Sequence, residues 1–313
     1  MLTFELPINP PYSYERLRSR LESHPDQQFQ LIPECSMLRR AFRIETESFL
    51  VTLAFKGGLE TPVLQVQTDK SLSAAQQEKL RKTVRHMFQA DVDLEPVYQH
   101  MQTDQRLAPL TERFRGLRFL LDPDLFQSMV RTIIGQQLNL AFAATLTERL
   151  LTLAGDVVHD EQGQPFHVFP TAEAIARLEI EQLRQLQFSQ RKAEYIIDFA
   201  RAVVNRRVEL DRLELMSDEE AIGYLTALRG IGRWTVECLL MFGMGRPDLL
   251  PAADIGLRNG IQLVYDLPEK PDEAKIRAIG ESWAPWRSYI SLYVWEAFGA
   301  FRRGEFAQPS ADA

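Results

Sequence analysis

The chain has 313 residues, of which 45% are hydrophobic, 25% charged and 10% aromatic, and these proportions exclude disordered, collagen-like and low-complexity proteins. It lacks both the apolar run of roughly 18 residues that a membrane-spanning helix needs and an N-terminal signal-peptide pattern. Two cysteines are too few for a disulfide framework or an iron–sulfur cluster. We therefore expect a cytoplasmic protein of about two domains, without a membrane partner or an iron–sulfur cluster.

The formal charge of −7 argues against a broad basic surface for a polyanionic partner. Most of the excess lies in residues 155–225, which hold 14 acidic and 8 basic side chains. We expect this segment to be a solvated face, and a small nucleic-acid footprint elsewhere on the molecule stays open.

Alternating apolar residues predict an antiparallel sheet in the first third of the chain. Strands are predicted over 40–45, 49–55 and 64–68. Ser73, with Gln76 three residues later, forms a capping-box pattern before an amphipathic helix. These features predict a small α+β domain over residues 1–115.

From Gly116 onward the apolar spacing is that of helices. Helices are predicted over 123–137, 140–153, 171–186, 190–206, 217–228, 233–243, 255–265, 272–279 and 286–299. The polar, aperiodic segment 155–169 is expected to be a loop. The pattern predicts an all-α domain over residues 116–304, with a helix–hairpin–helix near 226–243 and a frayed tail over 305–313.

A short turn between two predicted helices carries the most informative motif, Leu228-Arg-Gly-Ile-Gly-Arg-Trp-Thr235. Gly230 and Gly232 allow an unusual backbone conformation and the close approach of a ligand. The amides that open the second helix then form a site for an anion such as a DNA phosphate. The same glycines also fit an ordinary helix–helix turn.

An aspartate follows this motif after a loop rich in glycine and proline. Asp254 comes shortly after Pro251 and directly before a predicted helix. It therefore fits the N-cap of that helix. It also fits a carboxylate that is aimed into a cleft.

These motifs resemble the helix–hairpin–helix superfamily of DNA glycosylases, and within it the bacterial 3-methyladenine DNA glycosylase II type. The resemblance extends over nearly the whole chain. Besides the hairpin and Asp254, four segments carry it: Leu6–Tyr12, Phe126–Gln137, Ser189–Tyr195 and Trp283–Trp295. The resemblance implies a sheet domain followed by a helical glycosylase domain.

The resemblance also implies a reaction and its residues. Asp254 takes the place of the family's catalytic aspartate, which stabilises positive charge on the deoxyribose while the bond to a damaged base is cleaved. Trp234 and Trp295 match the pocket tryptophans that attract a cationic alkylated base such as 3-methyladenine or 7-methylguanine. Tyr289 and Tyr12 are further candidates for the cleft wall. Each aromatic residue also fits a core position.

Trp234 bears on the type of glycosylase. Superfamily members that cleave the DNA strand have a lysine at this position, which forms a Schiff base. Tryptophan there predicts a monofunctional hydrolase that leaves an abasic site. The alternatives are a glycosylase for oxidised or deaminated bases and a non-catalytic helix–hairpin–helix protein that only binds DNA.

The resemblance further implies how double-stranded DNA is bound, by a monomer. Phosphate-binding candidates are Gly230, Ile231, Gly232, Arg233 and Arg258. Gln136, Gln137 and Leu138 form the loop that faces the DNA, and either Gln137 or Leu138 fills the gap left by the flipped base. The carbonyls of Thr226, Leu228 and Ile231 correspond to a K⁺ or Na⁺ site, although water can cap such carbonyls equally well. No cofactor is expected for catalysis.

Overall fold

The alternating segments of the first third form one antiparallel sheet of five strands. The computed structural model describes residues 2–23, 26 and 28–305, so the predicted tail lies outside the described residues except for Glu305. The strands are β1 Thr3–Pro7, β2 Gln30–Ile32, β3 Met37–Ile44, β4 Glu47–Lys56 and β5 Val63–Thr68, in the order β1-β5-β4-β3-β2. The three predicted strands are confirmed as β3, β4 and β5, whereas the short edge strands β1 and β2 carried no clear alternation.

Two helices, α1 (Tyr14–Ser23) and α2 (Ala74–Met87), cover one face of this sheet. The Ser73 side chain accepts from the Gln76 amide and the Gln76 side chain accepts from the Ser73 amide, so the predicted capping box is confirmed. Buried side chains of α2 pack against the inward-facing residues of β4, which are spaced at every second position.

The remaining helices surround a second, larger core. They are α3 Glu95–Met101, α4 Ala108–Arg113, α5 Leu125–Gly135, α6 Leu140–Ala154, α7 Ala172–Ala176, α8 Ile180–Gln185, α9 Gln190–Val204, α10 Asp218–Thr226, α11 Arg233–Phe242, α12 Ile255–Val264, α13 Glu273–Gly280 and α14 Arg287–Arg302. Among the described residues, no helix is both long enough and apolar enough to cross a membrane. The buried residues of α3 and α4 belong to this helical core, so packing changes from one core to the other well before residue 115.

One predicted helix, 171–186, is in fact two. The break falls between α7 and α8, where Glu179 is extended and caps α8. The Arg201 guanidinium of α9 donates to the Ala176 carbonyl at 3.1 Å and to the Leu178 carbonyl at 3.5 Å. A distant side chain therefore satisfies the carbonyls that a continuous helix would have paired internally.

The prediction of a loop over 155–169 is wrong, because this segment forms a β-hairpin of β6 (Asp156–His159) and β7 (Pro165–Val168). Phe166 and Val168 pack on the second face of the large sheet. Carboxylates of the hairpin also pair with arginines of β3, in the pairs Arg39–Asp160 at 2.9 Å and Arg43–Asp156 at 2.5 Å. Two residues of the acidic segment thus link the helical domain to the sheet, although the Asp156 side chain stays largely exposed and only that of Asp160 is removed from solvent.

A buried arginine joins the two cores. Arg118 is 5% exposed, and its guanidinium donates to carbonyls rather than to a carboxylate. The acceptors are the carbonyl oxygens of Asn9, Pro11, Gln89 and Val92, at distances from 2.6 to 3.4 Å. The Arg118 side chain therefore ties the linker between the domains to the sheet domain.

We expect Arg118→Met to lower the free energy of unfolding by about 3 kcal/mol or more, because several buried carbonyls lose their donor at once. Urea unfolding followed by circular dichroism measures this change. Arg177→Met, at an exposed position of the helical domain, is the matched control and should change stability by about 0.5 kcal/mol or less. Equal effects of the two substitutions would contradict the assigned role.

Candidate active site

The predicted hairpin lies between α10 and α11 and depends on its first glycine. Gly230 has a φ of +84°, and a Cβ there would lie 2.3 Å from ring atoms of Tyr195, so no larger residue fits. Gly232 is the exposed N-cap of α11 and offers no side chain to bind the helix amides. Those first amides therefore face outward and are suited to an anion.

Gln136 braces this hairpin from behind. Its side-chain amide donates to the Gly230 carbonyl at 3.0 Å and to the Thr235 hydroxyl at 2.9 Å. The sequence grouped Gln136 with the residues that face DNA, whereas the structure turns its side chain towards the protein. Gln136 thus positions the hairpin relative to the end of α5.

The next residues point in different directions. Gln137 is exposed and has a φ of +55°, whereas Leu138 is partly buried and packs against the helical core. Leu140, the first residue of α6, is 64% exposed. The connection between α5 and α6 therefore presents Gln137 and Leu140 outward, and no sequence pattern indicated the exposure of Leu140.

Asp254 is the N-cap of α12, as one of the two sequence interpretations predicted. Its Oδ1 accepts from the Leu257 amide at 2.7 Å and from the indole Nε1 of Trp295 at 2.9 Å. Its Oδ2 accepts no hydrogen bond from any residue in the described part of the chain. One oxygen is thus fixed by the fold while the other is available, so the cap and the cleft interpretations are compatible.

Trp295 of α14 is held against Asp254 by its surroundings. Its ring stacks on Phe242, with centroids 5.9 Å apart and planes 27° apart. At Gly256, a Cβ would lie 3.1 Å from Asp254 Oδ1 and 3.4 Å from the Trp295 ring. Gly256 therefore leaves the room that this contact requires, a role that no pattern in the sequence indicated.

Trp234 and Cys238 lie one helical turn apart on α11 and so share a face of it. The Cys238 thiol is buried, and its pKa is raised first by burial and then by the nearby charges of Asp254 and Glu237. Cys238 therefore lies within electrostatic range of Asp254. The indole N–H of Trp234 is buried and has no acceptor among the described residues.

The two tyrosines proposed for the cleft wall are core residues in this structure. Tyr289 accepts from the Gln89 side chain at 3.0 Å, and burial raises the pKa of its hydroxyl to about 12. Its ring meets Phe119 edge-on, 5.6 Å between centroids, and Phe119 in turn meets Phe242. Tyr289 thus supports the ring beneath Trp295 and lies behind the pocket.

Tyr12 lies in the core of the sheet domain, where its ring stacks on Phe55 with centroids 5.8 Å apart and the Arg118 guanidinium lies 5.9 Å from its centroid. None of these contacts brings it to Asp254. Both tyrosines looked equally suitable as pocket residues in the sequence, because an aromatic residue gives no sign there of which way its ring faces.

The two arginines proposed for phosphate binding differ in what surrounds them. Arg233 is paired with Glu219 and Glu237, each at 3.0 Å. Arg258 lies one turn after Asp254 on α12 and is partly buried. Its guanidinium has no ion-pair partner among the described residues. Arg258 is therefore the more available of the two for an external anion.

Comparison with known proteins identifies the family. Residues 130–285 match the HhH-GPD superfamily of base excision DNA repair proteins, and residues 3–120 match the AlkA N-terminal domain. YfjP of Bacillus subtilis, which carries a provisional designation as a DNA-3-methyladenine glycosylase, is 36% identical over 291 residues, or 93% of this chain and 97% of that protein. The chain belongs to the HhH-GPD superfamily.

Solved structures agree with this assignment. The 3-methyladenine DNA-glycosylase from Archaeoglobus fulgidus superposes with a TM-score of 0.82, covering 95% of this chain and 99% of that one at 26% identity. Schizosaccharomyces pombe Mag1, a 3-methyladenine DNA glycosylase solved with abasic DNA, superposes with a TM-score of 0.56, covering 64% and 96% at 29% identity. The predicted HhH-GPD fold, an antiparallel sheet domain before a helical domain, is thereby confirmed.

The hairpin glycines offer a direct test of this HhH-GPD geometry. We expect Gly230→Ala to lower the free energy of unfolding by about 2 kcal/mol or more, since the new methyl group meets Tyr195 at a positive φ. Gly232→Ala, with open space around its Cβ, should cost about 1 kcal/mol or less. Urea unfolding of both variants gives the comparison, and a Gly230→Ala protein as stable as Gly232→Ala would contradict it.

Proposed function

We propose that this protein is a monofunctional DNA glycosylase of base excision repair that excises alkylated purines, 3-methyladenine and 7-methylguanine among them, and leaves an abasic site. The observation that carries the proposal is the environment of Asp254. One oxygen of this carboxylate is held by Leu257 and Trp295, and the other has no hydrogen-bond donor in the part of the chain that the structure describes. A carboxylate fixed in this way is suited to stabilise positive charge that develops beside it.

The chemistry follows from this arrangement. A base within the duplex is inaccessible, so the damaged nucleotide must first be flipped out of the stack. As the glycosidic bond breaks, positive charge builds on the deoxyribose, and the Asp254 carboxylate stabilises it and orients the attacking water. The N-terminal end of α12 favours the negative charge on Asp254 throughout.

Binding of the flipped base falls to the aromatic side chains beside Asp254. A purine methylated at N3 or N7 is cationic, and an electron-rich indole face attracts it by roughly 1–2 kcal/mol when water is excluded. Trp295 and Trp234 supply such faces. Cys238 and the exposed Ile255 border the same region.

The absence of strand cleavage follows from Trp234. A lyase needs an amine that can reach the sugar and form a Schiff base, and here tryptophan occupies that helix position. The sequence has no lysine between Lys192 and Lys270. The ammonium of Lys192 is engaged with carbonyls of α5.

We assign the contacts to double-stranded DNA from the exposure and the hydrogen bonding of each candidate group. The Gly232 amide and the Arg258 guanidinium, which has no ion-pair partner among the described residues, bind phosphates of the damaged strand. The Ile231 amide is not available for this, because it donates to the Leu228 carbonyl at 3.2 Å. Gln137 fills the gap left by the flipped nucleotide, because it projects into solvent whereas Leu138 is packed against the core. An amide there can bond with the orphaned partner base. A monomer acting in the cytoplasm, where the DNA lies, is sufficient for this reaction.

A monovalent cation, K⁺ or Na⁺, fits the carbonyls of the hairpin. Among the described residues, nothing donates to the carbonyl oxygens of Thr226 and Ile231, and that of Leu228 accepts only from the Ile231 amide at 3.2 Å. Carbonyl oxygens of this kind replace the hydration shell of such ions. When bound, the cation would add positive charge where the hairpin meets a phosphate.

The decisive experiment is base release by wild type and Asp254→Asn under single-turnover conditions, on duplexes carrying 3-methyladenine or 7-methylguanine. Asparagine caps a helix as well as aspartate does, so folding and DNA binding should persist while release falls by about 100-fold or more. Strand breaks should arise only after alkali treatment.

Other outcomes of this experiment would change the assignment. Equal release by both proteins would remove Asp254 from its role, and breaks without alkali would indicate a lyase. Binding without release would indicate a DNA-binding protein. If neither alkylated base is released, the same assay is repeated on duplexes with oxidised or deaminated bases, and release there would assign a different lesion class.

We further expect Trp295→Phe to slow base release by about 10- to 100-fold, because phenylalanine retains the stacking on Phe242 but cannot donate to Asp254. Single-turnover rates give the effect, and thermal unfolding verifies that the fold is intact. Trp286→Phe, at the start of the same helix, is the matched control. Equal rates for wild type and Trp295→Phe would show that the hydrogen bond is not needed to position the carboxylate.

A further inference from the structure

An ammonium group caps the end of α5, just before the residue assigned to the DNA gap. Lys192, on the first turn of α9, donates from Nζ to the Ile133 carbonyl at 3.1 Å and to the Gln136 carbonyl at 2.6 Å. Ile133 lies in the last turn of α5, and Gln136 directly follows that turn. The Lys192 side chain therefore clamps the backbone directly before Gln137.

The clamped backbone has an unusual conformation. Gln137 adopts a positive φ of +55°, a region that costs a residue other than glycine about 1 kcal/mol or more unless its surroundings impose it. Within the described residues, one backbone bond closes the turn around Gln137, from the Leu138 amide to the Gly135 carbonyl at 3.2 Å. The bond from Lys192 to the Gln136 carbonyl adds a second constraint.

The charge of Lys192 has no carboxylate partner within 4.0 Å among the described residues. Burial alone lowers the pKa of its ammonium, to about 8. Charged side chains on the elements packed around it are Arg131 of α5, Glu173 of α7, Glu179, Glu181 and Arg184 of α8, Arg191, Glu194, Asp198 and Arg201 of α9, and Arg229 of the hairpin. None of them contributes to the shift, so the negative end of the α5 dipole is what compensates the charge.

Gln136 connects the same turn to the hairpin. While its backbone carbonyl accepts from Lys192, its side chain donates to the Gly230 carbonyl. Three elements therefore meet at Gln136: the end of α5, the start of α9 and the hairpin.

We propose that Lys192 is a positioning residue, which holds the turn at Gln136 so that Gln137 is presented to the gap in the duplex. The inference rests on the gap-filling role assigned to Gln137 under the proposed function. Lys192 touches neither base nor sugar and acts through Gln137. Its effect on base release is consequently indirect, and it depends on the ammonium being charged.

The first test measures gap filling without chemistry. A duplex carries a stable abasic-site analogue opposite 2-aminopurine, whose fluorescence changes when a side chain enters the stack beside it. Saturating wild type and Lys192→Arg should both produce the change, and Lys192→Gln should not. Lys79→Gln, at an exposed position of α2, should behave as wild type. A full change with folded Lys192→Gln would overturn the proposal whether or not the protein proves to be a glycosylase.

The second test measures base release in a double-mutant cycle. Lys192→Gln should slow single-turnover release of 7-methylguanine by about 10- to 100-fold in the wild-type background. In the Gln137→Ala background it should slow release by about twofold or less, because the two residues act in series. Equal effects in both backgrounds would show that Lys192 does not act through Gln137.

The pH profile distinguishes the charged clamp from a structural role and remains informative if Lys192→Gln fails to fold. Because the ammonium is charged below about pH 8 and neutral above it, release by wild type should fall relative to Lys192→Arg between pH 7 and about 9. Arginine keeps its charge throughout this range. A constant ratio of the two rates would overturn the proposal, whereas inactivity of both proteins on every duplex would refute the glycosylase assignment and leave the fluorescence result to decide.

Discussion

The hydrogen bond from Trp295 to Asp254 is the interaction on which the site depends. It joins the last helix of the chain to the start of α12, and it shares its acceptor oxygen with the Leu257 amide. Two donors on one oxygen fix the carboxylate and leave the other oxygen without a donor among the described residues. The rings of Phe242, Phe119 and Tyr289 then support the indole from behind. The core of the domain thus ends at the carboxylate to which we assign the chemistry.

The electrostatics explain how an acidic protein can bind DNA. Arg229 and Arg233, which flank the hairpin glycines, are both paired with carboxylates. The positive potential of the hairpin therefore comes mainly from helix amides, which bind phosphate without regard to base sequence. Such binding is suited to a protein that must examine DNA of any sequence. A net charge of −7 also limits unproductive adhesion to the polyanion.

Local patterns in the sequence were sufficient for the long helices, the central strands and the N-cap position of Asp254, because periodicity and capping depend on nearby residues. The features that these patterns missed depend on residues far away in the chain. Arg201 splits a predicted helix, and the short strand β7 is stabilised mainly by the sheet on which it packs. Gln136 turns inward because its acceptors are brought close by the hairpin. Side-chain direction, which separates pocket residues from core residues, follows from tertiary packing.

The β6–β7 hairpin has a consequence for the independence of the two domains. It leaves the helical domain, crosses to the sheet, covers Ala41 and Leu50 with Phe166 and Val168, and returns. Cutting the chain at the domain boundary would therefore expose apolar surface on both fragments and leave Arg39 and Arg43 without their carboxylates. The sheet domain packs on the helical domain through this hairpin, and we expect the two domains to unfold together as one cooperative unit.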